Sequence, residues 1–125
     1  MSKVLVVDDA QDHADLLASL FEAHGHTVCL AYGGRHGLAE ARRFSPEIVF
    51  LDLDMPDLDG LAVARCLSSG AADDRPVLVA LTGNIEHGVE ASAASAGFDH
   101  FLRKPAQPAV LLALFEDIGR VRRGI

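Results

Sequence analysis

The chain of 125 residues carries 18 acidic and 11 basic side chains, so its net charge of −7 argues against nucleic acid or an anionic membrane as main partner. Hydrophobic residues make up 50% of the sequence, which excludes wholesale disorder and predicts one domain over residues 1–125. Cys29 and Cys66 lack the number and spacing of a disulfide framework. No apolar run has the length of a signal-peptide core or a membrane helix, so we expect a cytoplasmic protein.

Short apolar runs alternate with helical patterns along the chain. The runs predict strands at 4–7, 28–31, 48–51, 77–81 and 101–102. The spacing of apolar residues predicts helices around 16–21, 38–44, 61–67, 86–96 and 111–121. Because strands and helices alternate with short connections, we expect an α/β fold with a doubly wound parallel sheet and helices on both faces.

Polar side chains follow four of the predicted strands. In chain order they are Asp8 and Asp9, then Asp52, Thr82 and Lys104, with Asp54 close behind Asp52. The carboxyl ends of parallel strands meet at one edge of the sheet, where open α/β sheets bind ligands. We therefore expect these side chains to form one cluster.

The residue types in this cluster predict a particular chemistry. Neighbouring carboxylates raise one another's pKa values unless a cation lies among them, and an oxygen-only ligand set suits Mg²⁺. Beside such an ion, Lys104 and Thr82 are placed to hold the oxygens of a phosphoryl group, which leaves Asp52 as the attacking carboxylate. The cluster therefore predicts aspartyl-phosphate chemistry.

A set of motifs in fixed order carries a family resemblance. They are Asp8-Asp9, the segment 49–60 (VFLDLDMPDLDG), Ala80-Leu81-Thr82-Gly83, Ala96-Gly97-Phe98-Asp99 and Lys104-Pro105. With them the chain resembles a response-regulator receiver domain of two-component signalling, similar to the chemotaxis regulators, over essentially its whole length. The resemblance implies a flavodoxin-like (βα)5 fold with strand order 2-1-3-4-5.

The resemblance also implies a role for each site residue. Asp52 would accept a phosphoryl group from the phosphohistidine of a histidine kinase or a histidine phosphotransfer protein. Mg²⁺ would be bound by Asp8, Asp9 and Asp52 and by the backbone carbonyl of Asp54. Thr82 and Lys104 would contact the phosphoryl group.

Two further pairs of residues are singled out by the resemblance. Thr82 and Phe101 would form the switch: we expect the Thr82 hydroxyl to gain a hydrogen bond only when a phosphoryl oxygen arrives, and the Phe101 ring to follow by packing. The output surface would be formed by the fourth helix, fifth strand and fifth helix. Asp54 and Asn84 occupy positions where the family varies and where phosphoryl lifetime is tuned.

Departures from the family pattern refine these expectations. Position 101 is Phe where many members have Tyr, so no hydroxyl contact reports the switch. Lys104-Pro105 is followed by Ala106 rather than the Phe common in DNA-binding regulators, and the stretch Ala96 to Pro105 resembles receivers attached to hybrid histidine kinases. The six histidines are scattered without metal-ligand spacing, so we expect surface or packing roles for them.

Two other functions share parts of the pattern. Asp52-Leu53-Asp54 resembles the motif of haloacid-dehalogenase-type phosphatases, but in that family this motif precedes the acidic pair, whereas here Asp8-Asp9 comes first. A flavodoxin-like flavin binder needs a phosphate loop after the first strand, where Asp8 and Asp9 would repel phosphate instead. We therefore expect a phosphoacceptor signalling domain rather than an enzyme.

Overall fold

The computed structural model describes residues 2–55, 60–69, 75–83 and 88–122. Strands and helices alternate through these ranges. In chain order they are β1 Lys3–Val7, α1 Gln11–Ala23, β2 Thr27–Ala31, α2 Gly34–Phe44, β3 Ile48–Asp52, α3 Gly60–Ser68, β4 Val77–Thr82, α4 Val89–Ala96, β5 His100–Arg103 and α5 Pro108–Arg122. Every predicted element is present. The fourth helix begins at Val89, and the predicted residues 86 and 87 lie outside the described ranges.

The strands form one parallel sheet in the order β2-β1-β3-β4-β5. This order confirms the expected flavodoxin-like architecture. Its register aligns Asp52 with Leu81, and Thr82 with Arg103, so the carboxyl ends of β3, β4 and β5 lie close to one level. The chain therefore builds the edge on which the site residues were predicted.

The sheet separates two hydrophobic cores. Side chains alternate along each strand, so in β1 Leu5 and Val7 face one core while Val4 and Val6 face the other. The first core is completed by α2, α3 and α4, and the second by α1 and α5. Apolar residues on both faces of each strand thus explain the near-continuous apolar runs in the sequence.

Three phenylalanine rings pack together in the second core. The ring centroid of Phe21 lies 4.8 Å from that of Phe50 and 4.9 Å from that of Phe115.

Among the helices of the described residues, none combines the length and the hydrophobicity that a membrane-spanning helix needs.

Candidate functional site

Strand ends place the predicted site residues at the carboxyl edge of the sheet. Asp52 and Thr82 are the last residues of β3 and β4, and Asp8 and Lys104 directly follow β1 and β5. Backbone hydrogen bonds continue past the strand ends, because the Asp8 N–H donates to Ala31 O at 3.0 Å and the Lys104 N–H to Thr82 O at 2.9 Å. The pairing of the sheet therefore fixes the backbone from which these side chains project.

Three polar side chains of this edge are almost fully buried. Asp8, Asp52 and Thr82 are 0%, 1% and 0% exposed, which is unusual for such residue types. Asp9 beside them is exposed. Asp8, Asp9 and Asp52 each offer a carboxylate oxygen, and these oxygens lie within 4.8 Å of one another. The cluster thus combines two buried carboxylates, Asp8 and Asp52, with the solvent-exposed carboxylate of Asp9.

Asp52 lies at the centre of the polar contacts. Its Oδ2 is 2.9 Å from the Lys104 ammonium, and its Oδ1 accepts the backbone N–H of Asp54 at 2.9 Å. Burial nevertheless raises the pKa of Asp52 to about 6, helped by neighbouring Asp8 and opposed by the Asp54 N–H and Lys104. Burial therefore outweighs the two hydrogen-bond donors at Asp52.

The pKa of Asp8 shifts in the opposite direction. Burial acts to raise it, but hydrogen bonds from His13 and from the Ala10 N–H, at 2.9 Å to Oδ1, keep it below its ordinary value. Burial likewise acts to lower the pKa of Lys104, yet contact with Asp52 leaves it raised. At Asp8, unlike at Asp52, the hydrogen-bond donors therefore outweigh burial.

His13 is a neighbour of the site that the sequence did not predict. Its Nδ1 contacts Asp8 Oδ2 from the first turn of α1. The expectation of a surface or packing role was incomplete here, because it considered only metal-ligand spacing. The position of His13 could have indicated this contact: it lies five residues after Asp8, in the first turn of the helix that follows β1.

Asp54 connects two strand ends through its side chain. Its Oδ1 accepts the Thr82 hydroxyl at 3.0 Å, and its Oδ2 accepts the Gly83 N–H at 3.0 Å. The prediction that Thr82 gains a hydrogen bond only with a phosphoryl oxygen is therefore wrong. The hydroxyl already donates to a carboxylate that follows the neighbouring strand.

The start of α3 packs closely against the end of β3. A Cβ on Gly60 would lie 3.0 Å from the Leu53 Cα and 3.1 Å from the Asp52 backbone oxygen, so the backbone of β3 would have to shift to admit a side chain. Glycine at this position therefore lets the helix approach the backbone that carries Asp52 and Asp54.

Phe101 is half-buried and packs against the core that contains α2, α3 and α4. The Arg103 guanidinium carbon lies 5.9 Å from the centroid of its ring. A cavity of about 130 Å³ between α4 and β5 borders the ring, and Ala93, Phe98 and His100 help to line it. Asn84, predicted to tune lifetime, lies outside the described residues.

The sequence and the fold match known proteins. A family model, the response regulator receiver domain, matches residues 4–116. Protein PilH of Pseudomonas aeruginosa is 30% identical over 90% of this chain and 93% of PilH. Response regulator MprA of Mycolicibacterium vanbaalenii is 39% identical over 89% of this chain, which spans only 47% of MprA. The N-terminal domain of an uncharacterized protein from Wolinella succinogenes superposes with a TM-score of 0.89 at 26% identity, covering 99% of this chain and 98% of that domain. The chain therefore belongs to the response-regulator receiver domains of two-component signalling.

Proposed function

We propose that the chain is a phosphorylation-controlled signalling module in which Asp52 accepts a phosphoryl group from a phosphohistidine. The observation that carries the proposal is the setting of Asp52. It is 1% exposed, its Oδ2 contacts Lys104, and one of its oxygens lies within 4.8 Å of oxygens of Asp8 and Asp9. The donor would be a histidine kinase or a histidine phosphotransfer protein.

The transfer makes one bond and breaks one. A carboxylate oxygen of Asp52 attacks phosphorus as the bond between phosphorus and the imidazole nitrogen breaks. The imidazole nitrogen keeps the bonding electron pair. A donor ring that carries a proton on its other nitrogen leaves as a neutral imidazole, and a ring without that proton takes one from solvent. Lys104, 2.9 Å from Asp52 Oδ2, is placed to shift from the carboxylate to a phosphoryl oxygen.

The acidic cluster fits Mg²⁺ by its donor chemistry. Its three carboxylates offer only oxygen, and two of them, Asp8 and Asp52, are buried. At Asp52 burial raises the pKa even beside Lys104, so this carboxylate gains from a further cation. Asp8, Asp9 and Asp52 would hold the ion together with the backbone carbonyl of Asp54. When bound, the ion neutralises charge on the phosphoryl oxygens; the protein side chains position the acceptor.

The signal would leave the site through Thr82 and Phe101. Thr82 ends β4, and Phe101 lies on the neighbouring β5 beside the cavity under α4. A shift of the buried hydroxyl towards a phosphoryl group would change the space available to the ring. The output surface is then that of α4, β5 and α5. The attached or downstream partner, including a hybrid-kinase context, remains a prediction from sequence.

Acetyl phosphate with Mg²⁺ tests the assignment of the acceptor. The wild type should gain one acid-labile phosphoryl group, mapped by peptide mass spectrometry to Asp52, and Asp52→Asn should gain none. Asp12→Asn is the matched control, since it removes an exposed carboxylate from α1. Modification of Asp52→Asn at the wild-type level would refute the assignment.

A phosphatase would behave differently in the same preparation. Steady hydrolysis of a small phosphomonoester such as p-nitrophenyl phosphate, abolished in Asp52→Asn, would favour an enzyme of the haloacid-dehalogenase type. We expect no turnover beyond the protein's own dephosphorylation, because the proposal makes phospho-Asp52 a signal rather than an intermediate.

A further inference from the structure

The side chain of Asp54 occupies two hydrogen-bond donors at the carboxyl end of β4. Its Oδ1 accepts the Thr82 hydroxyl and its Oδ2 accepts the Gly83 N–H, both at 3.0 Å. A carboxylate held by two donors in this way resembles an anion held in a small binding site. The arrangement is internal, because the anion belongs to the chain itself.

The same residue also contacts the proposed acceptor. The backbone N–H of Asp54 donates to Asp52 Oδ1 at 2.9 Å. Asp54 is thus bound to the acceptor through its main chain and to the end of β4 through its side chain. A phosphoryl group on Asp52 would therefore form next to the donors that the Asp54 carboxylate holds.

Competition follows from the number of hydrogens. A hydroxyl and a backbone amide each carry one, so neither makes two full hydrogen bonds at once. Thr82 is fully buried, so its hydroxyl has little access to water as a substitute. A phosphoryl oxygen that takes the Thr82 hydroxyl must displace the Asp54 carboxylate, which is itself negatively charged and repels it.

We propose that the Asp54 carboxylate is an internal latch that occupies the Thr82 hydroxyl and the Gly83 N–H in the resting state and competes with the phosphoryl group for them. The latch rests on the proposed function and adds a regulatory step to it. It keeps the switch residue engaged until an anion at Asp52 displaces it. A consequence is weaker binding of phosphoryl analogues than the cluster would otherwise give.

Beryllofluoride binding in the presence of Mg²⁺ measures this competition. The Gly83 amide resonance in ¹H–¹⁵N spectra reports both the resting contact and its replacement. Asp54→Ala should move this resonance before any ligand is added and should bind beryllofluoride about tenfold more tightly, the size expected for releasing a hydrogen bond to a charged group. Asp12→Asn, which removes an exposed charge from α1 and leaves Asp54, Thr82 and Gly83 unchanged, should bind within about twofold of wild type.

A Thr82→Val background separates the latch from simple charge removal. Repulsion by Asp54 persists without the hydroxyl, whereas the latch loses a donor, so Asp54→Ala should then tighten binding by only about threefold. An equal gain in both backgrounds would overturn the latch and leave charge as the whole effect. Asp54→Leu, which keeps the branched side-chain shape but has no acceptor, takes the place of Asp54→Ala should the latter fail to fold.

Two further results of the beryllofluoride experiment distinguish failure of the latch from failure of the proposed function. Wild type and Asp54→Ala binding with equal affinity would overturn the latch while leaving Asp52 as the acceptor. No binding by any variant, with acetyl phosphate also inactive, would overturn the proposed function and the latch together.

Discussion

Asp52 and Glu40 both lie next to a cation, yet their pKa values move in opposite directions. Asp52 has Lys104 at 2.9 Å, but burial and neighbouring Asp8 raise its pKa to about 6. Glu40 on α2 is partly exposed and contacts Arg43, which, with the thiol of Cys29 at 2.9 Å, lowers its pKa to about 2. A neighbouring cation alone therefore does not decide the direction of the pKa shift: Arg43 lowers the pKa of Glu40, whereas burial and Asp8 outweigh Lys104 at Asp52.

Glu40 and the acidic cluster at the carboxyl edge differ in how much a bound cation would stabilise them. Glu40 has a cation of its own and a thiol donor, so a further ligand would offer it little. The carboxyl edge gathers Asp8, Asp9, Asp52 and Asp54 around Lys104 and the His13 ring. Negative charge that the protein leaves poorly compensated is stabilised when a cation enters, which is the condition for a metal-dependent site.

The largest expected effect is the change in the free energy of unfolding when Asp52 is replaced by Asn. Its folded pKa of about 6 lies above the ordinary 3.8, so between those values the native state holds a proton that the unfolded chain has lost. Stability from this group therefore falls as the pH rises from about 4 to 6 and stays lower above that window. Without Mg²⁺, Asp52→Asn should be more stable than wild type at pH 7 by about 1–3 kcal/mol, after allowance for screening at the open edge.

Urea unfolding at pH 4 and pH 7 measures this difference. The gain should shrink towards zero at pH 4, where both proteins are neutral at residue 52. Lys104 keeps the attraction of Asp8 in the variant, so it is not left without a counter-charge. An Asp52→Asn protein that is less stable than wild type at pH 7 would show that the ion pair with Lys104 outweighs burial.

Lys104→Met tests the compensating cation. Lys104 lowers the pKa of Asp52, so its removal should raise the midpoint of Asp52 titration by about one unit above its wild-type value. The ¹³C resonance of the Asp52 carboxyl followed against pH gives that midpoint directly. Arg103→Met, which removes an exposed cation from the preceding position, should leave the midpoint in place. Equal midpoints in all three proteins would mean that Lys104 does not compensate Asp52.

Much of the fold and most of this edge were predictable from sequence. The parallel sheet followed from apolar runs that alternate with helical patterns, and the edge followed from reading the residue after each run. That reading placed Asp8, Asp52, Thr82 and Lys104 together, as the structure does. It works because parallel strands align their carboxyl ends whatever the details of packing.

The contacts that the sequence did not yield depend on side-chain direction. His13 reaches Asp8, and Asp54 reaches Thr82 across 28 positions of sequence, only because particular rotamers and helix placements aim them there. The partnership of Cys29 with Glu40 is of the same kind, since an apolar run gave no sign of a polar partner on α2. Residue types and strand ends set the members of a cluster; packing sets their pairing.

Mg²⁺ should stabilise the wild type through the same edge. An ion that binds only the folded protein adds about 1 kcal/mol of stability at about five times its dissociation constant. Asp9→Asn, which removes the exposed ligand of the cluster, should show no such rise in melting temperature, whereas Asp12→Asn should keep it. A wild-type rise that persists in Asp9→Asn would place the ion elsewhere.

The smallest expected effect lies at Glu40 and is read through Cys29. Burial raises the pKa of the Cys29 thiol, and contact with Glu40 raises it further. Glu40→Gln keeps a hydrogen-bond acceptor but removes the charge, and Arg43 then favours the thiolate without a carboxylate to offset it. Alkylation of Cys29 by iodoacetamide at pH 8 should therefore accelerate by about two- to threefold.

The measurement needs a Cys66→Ser background, because Cys66 is exposed, and Glu22→Gln on α1 is the charge control. Burial remains in the variant as the larger cause, so Cys29 should stay a weakly reactive thiol; a rate unchanged from the Glu22→Gln control would show that Glu40 does not govern it.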